Sequence, residues 1–253
     1  MNPTVPLSVL ELAVLTEDGT SADALAGATE VARAADRAGF LRFWVAEHHN
    51  LPSVASTTPP VLMAHLAAVT DRIRVGSGGV MLPNHAPLVV AEQIAAIEAL
   101  HPGRVDLGIG RAPGTDPYTA MALRRSADLS AEDFPRDLLE LMGLLGDPRP
   151  DAWGELVGGD RPLRDRFAAT PRAVSRPQIL LLGSSGYSAR LAGLLGLRFA
   201  FAHHFDMGGT DQAVELYRRS FRPSADLTAP HLIVTANVLV ADTAAEAERQ
   251  ALP

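Results

Sequence analysis

The sequence predicts a TIM-type (β/α)₈ barrel, and three observations lead to this fold class. Short apolar runs alternate along the chain with longer stretches whose apolar residues recur at helical spacing. Polar clusters follow several of the short runs, where parallel barrels place their functional groups. A Gly-x-Gly-x-x-Gly segment does not follow the first run, which disfavours a doubly wound dinucleotide-binding sheet.

Seven segments are predicted as strands because they are short and apolar or alternating, with turn residues at their ends. They are residues 7–14, 40–45, 73–80, 104–110, 179–182, 199–202 and 232–240. Thr20 or Ser21 is predicted to cap the first helix, and Gly39 to end it. The later helices are predicted near residues 60–69, 90–100, 132–145, 187–195 and 212–221, and another begins at 243. This alternation favours parallel strands with right-handed crossovers.

Two features depart from a regular barrel. Residues 112–176 are rich in Pro, Asp, Arg and Gly and are too long for an ordinary βα loop, so we expect an insertion or lid over the active face. The sequence also supplies only seven strands, so within the single domain expected over residues 1–253 the last βα unit is lacking. Open strand edges need cover, and we expect either a fragment or an edge covered by another chain.

Composition excludes several classes of chemistry. The 253 residues contain no Cys, which excludes disulfides, thiolate nucleophiles and Cys-ligated metals. All 22 basic residues are Arg, which excludes a Schiff-base lysine and a P-loop lysine. A net charge of −7 argues against a nucleic-acid partner. Without an apolar run of membrane-spanning length or a signal-peptide pattern, a cytoplasmic protein is expected.

Histidines follow two of the predicted strands. His48 and His49 are adjacent, so on an extended chain they face opposite ways and at most one points into the barrel mouth. Such a histidine is either a proton donor and acceptor or a hydrogen-bonded structural residue. His203 and His204 are also adjacent, and neither H-x-H nor H-E-x-x-H occurs, so metal binding is disfavoured.

Glycine and hydroxyl groups suggest a ligand with a flat ring and an anionic end. Gly76–Gly79 interrupts a strand, which indicates either a simple bulge or a site where a ring presses on the backbone. Arg111 follows a strand between small residues, and Gly183–Ser188 offers hydroxyls and free N–H groups where a helix begins, although an ordinary serine cap is the alternative. A phosphate next to a flat ring indicates a mononucleotide such as a flavin.

The chain resembles the bacterial luciferase-like flavin monooxygenases, in particular their short single-subunit branch. The matching segments are LSVLEL (7–12), WVAEHHN (44–50), VGSGGVMLPNH (75–85), GIGR (108–111), LGSS (182–185), AFAHHF (200–205) and ADT (241–243). They span nearly the whole chain. They therefore specify the family but leave the substrate open.

The resemblance implies roles for individual residues. His48 is expected to be the catalytic histidine, and a non-prolyl cis peptide is expected at Gly78–Gly79, against which the flavin ring rests. No metal ligands are expected, and His203 and His204 correspond only loosely to residues beside the flavin. The residues expected to bind the cofactor are Glu47, Ser77, Gly78, Gly79, Arg111, Ser184, Ser185, Gly186 and His203.

The resemblance also implies a reaction. Reduced FMN, supplied by a separate reductase, would react with O₂ to give a flavin C4a-peroxide that oxygenates a small organic substrate. A homodimer is expected, formed through helices near the second and third strands. Three alternatives stay open: an F420-dependent hydride-transfer oxidoreductase, a non-catalytic flavin-binding protein and a metal-dependent hydrolase that uses the histidine pairs.

Overall fold

A single sheet of seven parallel strands in sequential order forms the centre of the computed structural model, which describes residues 5–123, 133–147, 149–158, 168–172, 174–205 and 208–251. The strands are β1 (Ser8–Glu11), β2 (Arg42–Val45), β3 (Arg74–Met81), β4 (Val105–Gly110), β5 (Gln178–Gly183), β6 (Arg198–Phe201) and β7 (Leu232–Val234). One cavity is lined by residues that follow both β1 and β7, so the sheet curls into an incomplete barrel. The predicted fold class is confirmed.

Helices connect the strands as the alternation predicts. They are α1 (Ser21–Arg37), α2 (Pro59–Ala68), α3 (Pro87–Leu100), α4 (Pro117–Leu123), α5 (Phe134–Leu144), α6 (Pro150–Leu156), α7 (Gly186–Leu194), α8 (Thr210–Ser220) and α9 (Ala244–Ala251). Thr20 caps α1 in a reciprocal capping box with Asp23, and Gly39 follows the helix with a φ of +79°. In the described ranges, no helix is both long enough and apolar enough to cross a membrane.

The strand predicted at residues 232–240 is wrong beyond Val234, where β7 ends. The N–H of Thr235 still donates to the carbonyl of Phe201 at 3.0 Å, but Phe201 is the last residue of β6. Further residues therefore lack a neighbouring ladder to pair with on that side, and apolar composition alone does not make a strand. Val238 and Val240 are exposed.

The segment predicted as an insertion contains α4, α5 and α6. Helix α5 lies against α3 and buries Phe134, Leu138 and Met142 in the main core between sheet and helices. This helix therefore belongs to the outer helical layer. Residues 124–132, 148, 159–167 and 173 of the predicted insertion lie outside the described residues, and its role as a lid stays a prediction.

A buried carboxylate joins three strands near their amino-terminal ends. Asp106 of β4 is fully buried, and its oxygens lie 2.8 Å from Nε of Arg42 in β2 and 2.7 Å from Nε of Arg74 in β3. The indole N–H of Trp44 donates to the same carboxylate at 3.0 Å. Because both guanidinium groups depend on one buried anion, its charge is a structural requirement.

We predict that Asp106→Asn lowers the free energy of unfolding by about 3–5 kcal/mol, because it leaves two guanidinium groups without their counter-charge. Urea unfolding measures the change. The matched control is Glu30→Gln, which removes an exposed i,i+3 pair with Arg33 and should cost under about 1 kcal/mol. A loss for Asp106→Asn as small as that of the control would contradict this account.

Candidate functional site

The carboxyl ends of all seven strands surround one cavity. Side chains or backbone from β1 to β7, or from the residues that directly follow them, contribute to its wall. The lining consists of Leu10, Leu12, Ala46, His48, Gly78, Gly79, Met81, Gly110, Arg111, Ala112, Leu182, Gly183, Ser184, Ser185, Ser188, Ala200, Phe201, Ala202, His204, Phe205 and Thr235. This is the end of a parallel barrel at which ligands bind.

Two glycines of β3 form part of the cavity wall. The pairing of β3 with β4 shifts register between Gly78 and Val80, and the Gly78–Gly79 peptide bond is cis, as the resemblance implied. A Cβ on Gly79 would lie 2.9 Å from the carbonyl oxygen of Gly108 in β4, and one on Gly108 would collide with the carbonyl oxygen of Ser77 in β3. The two strands therefore approach too closely for any larger residue, and bare backbone faces the cavity.

Another part of the wall carries hydroxyls and a positive charge. Ser184 and Ser185 lie where α7 begins, and Ser185 is its N-cap residue without a side-chain capping hydrogen bond. The guanidinium of Arg111 lies 4.2 Å from the ring centroid of Tyr187, a cation–π contact that orients it. Within the described part of the chain, Arg111 forms no ion pair, so its charge is available to an anion.

The segment after β2 alternates between two environments. Ala46 and His48 line the cavity, whereas Glu47 and His49 face away from it. The N–H of His48 donates to the carbonyl of Ser56 at 3.1 Å, which fixes the backbone at this position. The prediction that adjacent histidines face opposite ways is confirmed, and His48 is the one at the cavity.

Glu47 is fully buried and is held by four hydrogen-bonding groups. Its Oε1 lies 2.9 Å from Nε2 of His49 and 2.8 Å from Nε2 of His85, and it accepts from the Asn84 amide at 3.2 Å. Its Oε2 accepts the N–H of Met81 at 3.0 Å. Burial raises the pKa of Glu47. The hydrogen bond and the charge of His85, together with the hydrogen bonds from His49 and from the Met81 N–H, lower it, and the net pKa is below the ordinary value of a glutamate. The ionised carboxylate thus ties the end of β2 to the end of β3.

Glu47, His49 and His85 also have the residue types of a metal site, since their ligand atoms all lie within 4.8 Å of one another. Sequence spacing did not reveal this group, because His85 lies far along the chain from the histidine pair. The nitrogen–oxygen separations of 2.8 and 2.9 Å are hydrogen-bond distances. We therefore describe the group as the anchor of the His48 segment.

The structure brings together five of the nine residues expected to bind a cofactor: Gly78, Gly79, Arg111, Ser184 and Ser185. The other four, Glu47, Ser77, Gly186 and His203, do not line this cavity. The hydroxyl of buried Ser77 donates to the carbonyl of Gly108 at 2.8 Å, and Gly186 is the first residue of α7. His203 is exposed, with Nδ1 2.9 Å from the hydroxyl of Thr210.

Three polar residues of the cavity, Ser188, His204 and Thr235, were missed or given little weight. Ser188 is buried in the first turn of α7, within the Gly183–Ser188 segment that the sequence singled out for its hydroxyls. His204 occupies a 3-10 turn, where strand alternation gives no guide to direction. Its Nδ1 lies 2.6 Å from the hydroxyl of Thr235, and burial, together with the charge of His203, lowers its pKa.

Comparison with known proteins identifies the family. Residues 7–253 match the luciferase-like monooxygenase family. A relative from Escherichia coli strain K12, named luciferase-like monooxygenase, is 44% identical over 247 residues, which are 97% of this chain and 69% of the relative. The crystal structure of apo-MsnO8 is 41% identical with a TM-score of 0.81, over 91% of this chain and 65% of that one.

A more distant structure shares the fold. It is the oxygenating constituent of 3,6-diketocamphane monooxygenase from Pseudomonas putida, a type II Baeyer–Villiger monooxygenase solved in complex with FMN. It is 19% identical with a TM-score of 0.73, over 97% of this chain and 71% of that one. The present chain thus spans 65–71% of the length of these three proteins. By its family match and its close relatives, the chain belongs to the luciferase-like monooxygenase family.

Proposed function

We propose that this chain binds FMN and, with reduced FMN and O₂, oxygenates a small organic substrate. The observation that supports the proposal is that one cavity contains a bare glycine backbone, two serines and a guanidinium that forms no ion pair among the described residues. A flat ring fits against the glycine backbone, and the guanidinium and the serines recognise a phosphate. The E. coli relative is named a monooxygenase, which supports an oxidoreductase of this type.

The donor set fits FMN in particular. Gly78 and Gly79 would lie against the ring, and Arg111, Ser184 and Ser185 would hold the phosphate. F420 also joins a flat ring to a phosphate, so the cavity alone does not choose between them. Monooxygenase relatives favour FMN, since F420 is a hydride carrier, and the 3,6-diketocamphane enzyme was solved with FMN.

The chain's own residues would exclude water and move a proton. Bound reduced FMN supplies the two electrons that activate O₂. Leu10, Leu12, Met81 and Leu182 make much of the wall apolar, which keeps water from the reacting atoms and accepts an organic substrate. His48 would donate or accept the proton at the same wall, because its imidazole makes no hydrogen bond within the described residues. The Glu47 anchor would hold the backbone segment that carries His48 in place.

The partners are proposed on the same basis. Reduced FMN would come from a separate reductase, as the family resemblance implies. A non-catalytic flavin-binding protein is the alternative, and a reductase-coupled assay distinguishes the two. Organic test compounds are incubated with the chain, reductase and FMN in air, and products that gain one oxygen atom are sought by mass spectrometry. The cytoplasmic location expected from the sequence stays a prediction.

A homodimer would cover helices α2 and α3. Both helices are apolar on nearly all sides, and they contact each other. This contact leaves apolar side chains in solvent, since Val61 of α2 is 65% exposed and Val89 of α3 is 48% exposed. Helices of this composition are normally buried. We propose a second copy of this chain as the partner that buries them.

We predict that Arg111→Gln raises the dissociation constant of FMN about tenfold or more, because it removes charge-assisted hydrogen bonds to the phosphate. Fluorescence titration measures the constant. Riboflavin, which lacks the phosphate, should bind the variant and the parent protein equally. Arg190→Gln, an exposed arginine on α7, is the control and should leave FMN affinity unchanged. Equal loss of riboflavin and FMN affinity would remove Arg111 from the phosphate site.

We predict that His48→Ala changes the rate at which bound reduced FMN is reoxidised by O₂, on the order of 100-fold, because a positioned proton donor is lost. Stopped-flow absorbance follows the reaction. FMN affinity should stay within twofold of the parent protein. His203→Ala removes an exposed histidine and should behave as the parent does. An unchanged rate in His48→Ala would exclude His48 from proton transfer.

We predict that Val61→Asp converts a dimer into a monomer, because an interface that buries this side chain would have to desolvate a carboxylate. Light scattering coupled to size-exclusion chromatography measures the mass. Val238→Asp, which also replaces an exposed valine but lies away from α2, is the control. A parent protein that is monomeric at high concentration would refute the proposed dimer.

A further inference from the structure

Charged residues also gather at the opposite, amino-terminal end of the strands. Arg42, Arg74, Gln178 and Arg198 are the first residues of β2, β3, β5 and β6, and Asp106 is the second of β4. The strand register pairs Arg42 with Arg74 and Asp106 with Gln178. Neighbouring parallel strands thus bring three guanidinium groups and one carboxylate to a single end of the barrel.

The single carboxylate of this group is already engaged. Asp106 contacts Arg42 and Arg74 through short ion pairs, and it accepts the Trp44 indole N–H. The amide oxygen of Gln178 accepts from Arg42 at 3.1 Å. These contacts leave the positive charge of one guanidinium in this group without an ion pair among the described residues.

That charge belongs to Arg198. Its Nε is buried and makes no hydrogen bond, and within the described ranges its guanidinium forms no ion pair. Burial lowers the pKa of Arg198, and the charges of Arg42 and Arg74 lower it further, although Asp106 and Asp226 act in the opposite direction. A guanidinium stays protonated in such surroundings, so an anion close to it would be stabilised.

A cavity of about 250 Å³ lies next to this guanidinium. Arg176, Gln178, Arg198 and Asp226 supply its polar side chains. Asp226 does not neutralise Arg198, because its oxygens pair with Arg149 at 3.2 Å and with Arg176 at 3.3 Å. The cavity thus has room for a small ion. Its wall carries the Arg198 guanidinium, which forms no ion pair among the described residues, and the hydrogen-bond donors of Gln178 and Arg176.

We infer that this cavity binds a small oxyanion, such as inorganic phosphate, between Arg198 and Arg176. The ion supplies the missing counter-charge and accepts hydrogen bonds from the guanidinium groups. Its role is to stabilise the amino-terminal end of the barrel, away from the chemistry at the mouth. The site does not depend on the proposed FMN site.

Inorganic phosphate is the probe, and equilibrium dialysis at fixed ionic strength measures its binding. Arg111→Gln serves as the background, because it weakens any phosphate site at the barrel mouth. We expect this variant to bind phosphate and Arg111→Gln/Arg198→Gln to bind it at least tenfold more weakly. Arg111→Gln/Arg198→Lys, which keeps the charge, should bind within a few fold of the background variant.

Protein stability gives an independent readout. Phosphate should raise the unfolding temperature of the Arg111→Gln background more than chloride does at equal ionic strength, because only the folded state binds it. If Arg198→Gln prevents folding, Arg111→Gln/Arg176→Gln replaces it, since Arg176 is half-exposed and lies on the same wall. Equal phosphate binding by the Arg111→Gln background and its Arg198→Gln or Arg176→Gln derivative would overturn the inference. Undetectable binding by the background itself would overturn it too.

Discussion

The close approach of β3 and β4 is the constraint on which the rest of the structure depends. Gly79 and Gly108 lie where an added Cβ would strike the backbone of the neighbouring strand. Because both positions lack side chains, β3 can shift its register and present bare backbone at the carboxyl end of the barrel. Gly79 also lines the cavity, so the absence of its side chain leaves bare backbone on that part of the wall.

Buried carboxylates organise both ends of the barrel by different means. At the mouth, Glu47 accepts from histidine, amide and backbone donors and so fixes the segment that carries His48. At the opposite end, Asp106 forms ion pairs with Arg42 and Arg74, and Arg198 has no ion pair among the described residues. Each carboxylate joins neighbouring strands.

Much of the fold and part of the site could be predicted from the sequence. Periodicity located all seven strands, and strand alternation assigned His48 and His49 to opposite faces. Alternation gives no direction inside a 3-10 turn, however, so the sequence favoured His203 where His204 lines the cavity. The contact between Glu47 and His85 depends on the parallel pairing of β2 with β3, which single-sequence spacing does not encode. Apolar composition extended β7 to residue 240, but a strand also needs a partner.

A crystal structure of the chain soaked with FMN tests the central claim most directly. The account predicts electron density for the flavin ring in van der Waals contact with the Gly78–Gly79 backbone, and for the phosphate within hydrogen-bond distance of Arg111 and of Ser184 or Ser185. Flavin bound elsewhere, or a phosphate that approaches neither Arg111 nor the serines, would contradict it.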